Sequence, residues 1–160
     1  MPAGSDPLPE RTSPPALPAR FRPFGVRIAS VAFGAALLVV VVAVWLALPE
    51  SAQESFTLSQ RGTVAFMLFC AGVVAHAMSR CRVDAEESGL TVVNGYRTRH
   101  YDWDEVVGVT MRPGDPWAVL DLASGLGRSA MGIQGSDGAR ARRQVRELRA
   151  LIDAHTTQRH

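Results

Sequence analysis

The 160-residue chain contains no lysine, and all 17 of its basic residues are arginine. A phosphate-binding loop of the Gly-x-x-x-x-Gly-Lys kind is therefore excluded. Cysteine is nearly absent, and Cys70 and Cys81 alone give no framework for a small disulfide-stapled domain. Cys70 follows Met67, Leu68 and Phe69, which lack the small side chains expected before a lipid-modified cysteine. The formal net charge of only +2 argues against nucleic acid as a partner, which calls for a concentrated basic face. His100, His155 and His160 have no Cys or carboxylate companions at metal-ligand spacing. No metal and no cofactor is expected.

Charge and proline are both missing from Ile28 to Leu48. At about 1.5 Å per residue this run matches the ~30 Å of a bilayer core. A secretory signal fits poorly, because the region before the run is long and Pro-rich and an h-region has only about 7–15 residues. Leu48, Pro49 and Glu50 also offer no small-x-small cleavage site. A second run, Gly62 to Met78, is apolar on every side and lacks the polar stripe of a surface helix. It is followed by Arg80 and Arg82, whose heads can snorkel to an interface.

The connector Pro49–Arg61 is short and polar, which predicts an antiparallel helical hairpin over 25–79, with spans at about 28–48 and 62–78. Small residues four apart (Ser30/Gly34, Ala32/Ala36, Ala71/Ala75) would let the two backbones approach closely. Arg11, Arg20, Arg22 and Arg27 precede the first span, Arg61 alone lies between the spans, and Arg80 and Arg82 follow the second. The positive-inside rule then puts both termini in the cytoplasm, on a multi-pass protein of the plasma membrane. His76 has no acidic companion in either span and is expected to be hydrogen-bonded rather than part of a proton relay.

Seven of the ten prolines fall in residues 1–23. Residues 1–24 are accordingly expected to form a disordered tail of polyproline-II character, without helix or sheet ladder.

Beyond Arg80 the pattern changes to short β-like segments with turn signals between them. Six strands are predicted: Arg82–Ala85, Leu90–Val93, Tyr96–Asp102, Val106–Arg112, Trp117–Leu122 and Arg128–Ile133. Asn94-Gly95 predicts a type I′ hairpin turn. Alternation puts Arg97, Arg99 and Tyr101 on one face of their strand, and Val107, Val109 and Met111 together on the next. Ser136 and Asp137 offer N-cap oxygens to a final helix ending near Ala154. Val145, Leu148, Leu151 and Ile152 form its apolar stripe, suited to closing one end of a barrel. Arg142, Arg143, Arg146 and Arg149 lie mainly off that stripe, on a face that would meet anionic lipid headgroups near a membrane.

The segments Glu87–Gly95 and Arg97–Val109 ("ESGLTVVNG" and "RTRHYDWDEVVGV") resemble the PH-like domain of small actinobacterial membrane proteins, of the low molecular weight antigen type. The resemblance spans roughly Arg80 to Ile152. It implies a small α+β domain at 80–155, about six antiparallel strands in a partly open barrel or sandwich capped by a C-terminal helix, with 156–160 as a tail. Gly89, Asn94, Gly95, Trp103 and Glu105 carry the motif as structural residues. PH-like scaffolds host lipid, peptide and protein binding, so the resemblance speaks to fold more than to activity. The loop at 84–89 is acidic where lipid-binding PH domains carry basic residues, which disfavours phosphoinositide recognition there.

No nucleophile, acid and partner converge in the sequence, and Asp102, Asp104 and Glu105 are neighbours of the kind that rarely meet in a site. The expected function is a non-enzymatic one. A membrane-anchored binding or scaffold module would present a protein- or peptide-binding domain at the cytoplasmic face. The alternatives are an accessory subunit whose hairpin binds a larger membrane protein, and an anionic-lipid sensor using Arg97, Arg99 and the basic helix. "YRTRHYDWDEVVGV" reads as a return strand, a corner held by Trp103 and Glu105, and the next strand.

Overall fold

The computed structural model describes residues 15–157. Two helices, α1 (Gly25–Ala47) and α3 (Leu58–Arg80), have 23 residues each and are long and apolar enough to cross a membrane. They pack along each other, and no residue of either helix is buried within the chain.

The connector between them is more ordered than a polar loop. It holds a short helix, α2 (Glu50–Ser55). Gln53 Nε2 donates to the carbonyls of Trp45 and Leu48, both at 3.0 Å, which satisfies acceptors left open at the end of α1. Thr57 and Gln60 form a reciprocal capping box that starts α3. Arg61 lies over the Trp45 ring at 5.3 Å, and Phe56 meets the same ring edge-on.

Among the described residues, seven strands form two antiparallel sheets that do not close into a barrel. One sheet runs β1 (Ala19–Phe21), β2 (Arg82–Glu86), β3 (Gly89–Asn94), β4 (Arg97–Tyr101). The other runs β5 (Val106–Thr110), β6 (Trp117–Leu122), β7 (Gly127–Gln134). Helix α4 (Ala139–Thr157) packs its stripe of Val145, Leu148, Leu151 and Ile152 on the core, joined by Ala141 and Gln144. At Gly132 an added Cβ would lie 2.5 Å from the Arg82 backbone, so the absence of a side chain lets β7 cross close over β2.

All six strands expected after the second apolar run are present, and β1 is additional. Its position corrects the expectation of a ladder-free tail through residue 24. Pro18 and Pro23 bracket β1 but do not enter it, so Ala19, Arg20 and Phe21 keep the N–H groups that a ladder needs. Phe21 is buried, and Ala19 and Phe21 pair with Ala85 and Val83. The first fourteen and last three residues lie outside the described part of the chain.

The consequence is architectural. The helical hairpin is an insertion between adjacent strands β1 and β2 of a single sheet, so both of its ends start from the same small domain.

Three local expectations are corrected. The two-residue turn after β3 is Gly95-Tyr96, not Asn94-Gly95, because Asn94 pairs with Arg97. Gly95 has φ 63° and no non-glycine residue among those described has positive φ, which fits a type II′ turn and not type I′. A β-bulge between Val106 and Gly108 puts Val106 and Val109 in the core and leaves Val107 60% exposed, so Val107 does not share a face with Val109. Finally, the Asp137 carboxylate accepts hydrogen bonds from the Phe24 and Gly25 N–H groups, at 2.9 and 2.8 Å. It thus caps α1, while a 3₁₀ turn (Gly135–Asp137) leads into α4.

Candidate functional site

The residues of "YRTRHYDWDEVVGV" divide into a structural corner and a cleft wall. At the corner, Trp103 is 7% exposed and its Nε1 donates to the carbonyls of Glu86 and Glu87 at 3.0 and 3.1 Å. Those carbonyls belong to the β2–β3 turn, so the indole ties the corner to it. Gly89, which ends that turn, has φ 150°, and a Cβ there would sit 2.2 Å from the Tyr101 carbonyl. Glu105 accepts the Asp102 N–H at 3.0 Å and returns its own N–H to the Asp102 carbonyl. The segment 84–89 is the end of β2 and this tight turn. Asp84 is buried in β2 and paired with Arg20 and Arg82 at 2.5 and 2.7 Å.

The β3–β4 turn rests on the last two turns of α3. Tyr96 places its hydroxyl 2.9 Å from His76 Nδ1 and 3.4 Å from the Val73 carbonyl, and Arg80 lies over its ring. Gly95 donates its N–H to Cys81 Sγ at 3.2 Å. His76 and Cys81, separate curiosities in the sequence, both serve this joint.

Next to the joint lies a cleft of about 320 Å³ lined by Val92, Asn94, Arg97, Arg99, Tyr101 and, from β7, Arg128, Ser129 and Met131. Asn94 spans it at one end, donating to the Ser129 carbonyl at 2.6 Å and accepting from the Met131 N–H at 3.0 Å. A side chain on β3 thereby binds the two sheets together. Arg97 and Arg99 are exposed in this cleft. Arg128, which sequence reasoning missed, completes it. The missed signal is the alternation in β7, where Arg128 stands two residues before the buried Ala130.

The four helix arginines are not on this cleft. Arg142 and Arg146 are exposed on α4, Arg143 pairs with Glu147 at 3.7 Å, and Arg149 donates to the Val109 carbonyl at 2.7 Å. Arg140, nearer the start of α4, lies over the Phe24 ring at the base of α1. Among the described residues no group of three or more His, Cys, Asp or Glu side chains is placed to hold a metal. His100 sits beside Thr91 and Asp102, and His155 stacks on Trp103.

Residues 80–151 match the family model described as "Bacterial PH domain". This part of the chain is similar to bacterial PH domains, and its two antiparallel sheets and C-terminal helix form a PH-like fold. The matched segment begins at the end of α3, so it leaves out β1, which the PH-like domain takes from the far side of the hairpin. The chain is also 34% identical over 86 residues to uncharacterized proteins of Mycobacterium tuberculosis and Mycobacterium bovis, covering 54% of this chain and 54% of each relative. It thus spans about half the length of the curated relatives it matches. No solved structure matches. PH-like domains are in general binding modules rather than catalysts.

Proposed function

We propose that the chain is a membrane-anchored scaffold that holds its PH domain at the cytoplasmic face of the plasma membrane for a protein or peptide partner. The observation that carries this reading is the insertion of the apolar hairpin between β1 and β2. Because these strands pair, a hairpin that crosses the bilayer twice must return to the side it left. The arginine bias on either side of the hairpin puts that side in the cytoplasm. The domain is then held at both helix bases, by Asp137 at α1 and by Tyr96 at α3. A PH domain fixed at two points is a platform of set orientation rather than a head on a flexible tether.

A second reading, an accessory subunit of a larger membrane protein, has support of its own. The groove between α1 and α3 is lined by Ser30, Gly34, Ala71 and Ala75 among larger apolar side chains, and the chain itself leaves it uncovered. In-cell photocrosslinking of the full chain separates the two. The scaffold reading expects crosslinks to one protein from exposed Thr98 on β4 and none from Phe33 or Phe66 on the helices. Crosslinks from the helix positions alone would replace it with the subunit reading. A reporter fused to the C-terminus that is active only outside the cytoplasm would refute the topology.

A further inference from the structure

The cleft carries charge at positions that the fold reserves for the core. In β3 and β4, Leu90 pairs with Tyr101, Val92 with Arg99, and Asn94 with Arg97. Leu90, Val92 and Tyr101 are core residues, so Arg97 and Arg99 occupy the core-facing side of their sheet. Arg128 does the same in the opposing sheet, since it pairs with Leu120 and follows the alternation of Ala130, both fully buried. Three guanidinium groups therefore converge on the inner faces of two sheets that do not close. A fold that needed only packing would place apolar side chains here. Departures of this kind from the pattern are expected where a protein binds something.

Arg97 and Arg99 are open to solvent, whereas Arg128 is partly buried and unsatisfied. Arg128 Nε is buried without a hydrogen-bond partner, and among the described residues none of the three forms an ion pair. Burying part of a cation without a partner is costly, and an anion entering the cleft would remove that cost. Guanidinium forks match phosphate oxygens in geometry as well as charge. Val92, Tyr101 and Met131 supply an apolar lining beside them.

Position selects the source of the phosphate. Arg97 directly follows Tyr96, whose hydroxyl reaches Val73, inside the apolar run of α3 and seven residues before Arg80 at the helix end. The cleft therefore lies beside the base of α3, at headgroup level once that helix spans. We propose that the Arg97, Arg99 and Arg128 cleft binds the phosphate of an anionic lipid headgroup, a reading that rests on the membrane anchoring proposed above. The site is distinct from the acidic β2–β3 turn and from the basic face of α4.

The test uses the full chain in neutral detergent, with native mass spectrometry of bound phosphatidylglycerol against phosphatidylcholine. One phosphatidylglycerol should be retained in preference. Arg97→Ala/Arg99→Ala should weaken it by about 30-fold, at about 1 kcal/mol per arginine. Arg128→Gln should weaken it too, and Arg142→Ala/Arg146→Ala should leave it unchanged. Arg97→Gln/Arg99→Gln, which keeps polar side chains of similar reach, stands in if the double alanine variant misfolds. Equal retention of the two lipids, or retention indifferent to Arg97, Arg99 and Arg128, would overturn the proposal. Displacement by millimolar inorganic phosphate would reassign the site to a free anion, and tighter binding of a phosphoserine peptide would reassign it to a protein ligand. Carbonate extraction of cell membranes keeps the two readings apart. Release of the chain sinks the anchoring itself, whereas a retained chain without lipid preference sinks only this inference.

Discussion

The imidazole of His155 lies flat on the indole of Trp103, with ring centroids 4.0 Å apart and planes 8° from parallel. The stack joins the last turns of α4 to the corner between β4 and β5, while the indole N–H reaches the β2–β3 turn. Trp103 is therefore the point at which three parts of the PH-like domain meet. Replacing it with Ala should cost about 3–5 kcal/mol, the range for loss of a buried aromatic ring. Trp103→Phe, which keeps a ring but removes the indole N–H from the Glu86 and Glu87 carbonyls, should cost about 1–3 kcal/mol. His155→Ala removes the stacking partner together with its hydrogen bond to the Leu151 carbonyl and should cost about 0.5–1.5 kcal/mol. Thermal unfolding of the full chain in detergent ranks the three, and a Trp103→Ala protein that melts with the wild type would refute the assignment.

Asp137 couples the PH-like domain to the first helix across 112 residues of sequence, through the Gly25 N–H. Removing its carboxylate leaves two N–H groups at the start of α1 without acceptors. Asp137→Ala should cost about 1 kcal/mol, as for loss of an N-cap. Its more telling effect is local. Amide exchange should accelerate at Phe24 and Gly25 and stay unchanged in the last turns of α3, which the Tyr96 joint holds independently. Uniform acceleration in both helices would show that the two anchors do not act separately.

The strand ahead of the hairpin makes a fragment from Arg82 onward incomplete. Without β1, Val83 and Ala85 lose their partners Phe21 and Ala19, and Asp84 loses Arg20. Burial of Phe21 alone is worth about 1.5–3 kcal/mol. A fragment of 82–157 should therefore be less stable than one in which residues 15–24 are rejoined to it by a short flexible linker. Urea denaturation of both measures the difference, and equal midpoints would mean that β1 is dispensable.

The expectations that held were those carried by local pattern. Six strands and the stripe of α4 follow from alternation and helical spacing, and two apolar runs announce two helices. What escaped was set by partners far away in sequence. The proline count around residues 14–23 outweighed the three strand residues Ala19–Phe21 between Pro18 and Pro23, and only Asp84 and Val83, some sixty residues on, make them a strand. Asp137 reads as a cap for the helix it precedes, yet its oxygens are taken by α1. Arg97 and Arg99 were legible as one face of β4. That this face is the inner one depends on Leu90 and Val92 across the ladder, and Arg128 joins them only through the packing of β7.

The bulge in β5 gives the clearest test of register. Simple alternation cannot place Val106 and Val109 on one side with Val107 opposite them, but one extra residue in the strand does. Val107→Ser should change stability by no more than about 0.5 kcal/mol, as at an ordinary surface position. Val106→Ala should cost about 1.5 kcal/mol, from two buried methyl groups at about 0.8 kcal/mol each. The reverse order in thermal unfolding would restore the unbulged strand.

Asn94 links the fold to the cleft, because its amide is the polar bridge that holds β3 to β7 beside Arg97 and Arg128. Each half of the amide has a separate job: the nitrogen donates to the Ser129 carbonyl and the oxygen accepts from the Met131 N–H. Asn94→Asp keeps the acceptor but sets a carboxylate oxygen against the Ser129 carbonyl, and it also puts a negative charge among the arginines. Asn94→Ala removes both bonds without adding charge and should cost about 1–3 kcal/mol, since it leaves two backbone groups unpaired. The two variants should therefore part company in the binding assay. Asn94→Ala loosens the cleft wall and weakens anion binding in step with its loss of stability. Asn94→Asp weakens anion binding beyond its effect on melting, because the new carboxylate competes for the guanidinium groups. If Asn94→Asp bound anionic lipid as well as Asn94→Ala at matched stability, the three arginines would not be acting on a charge in that cleft.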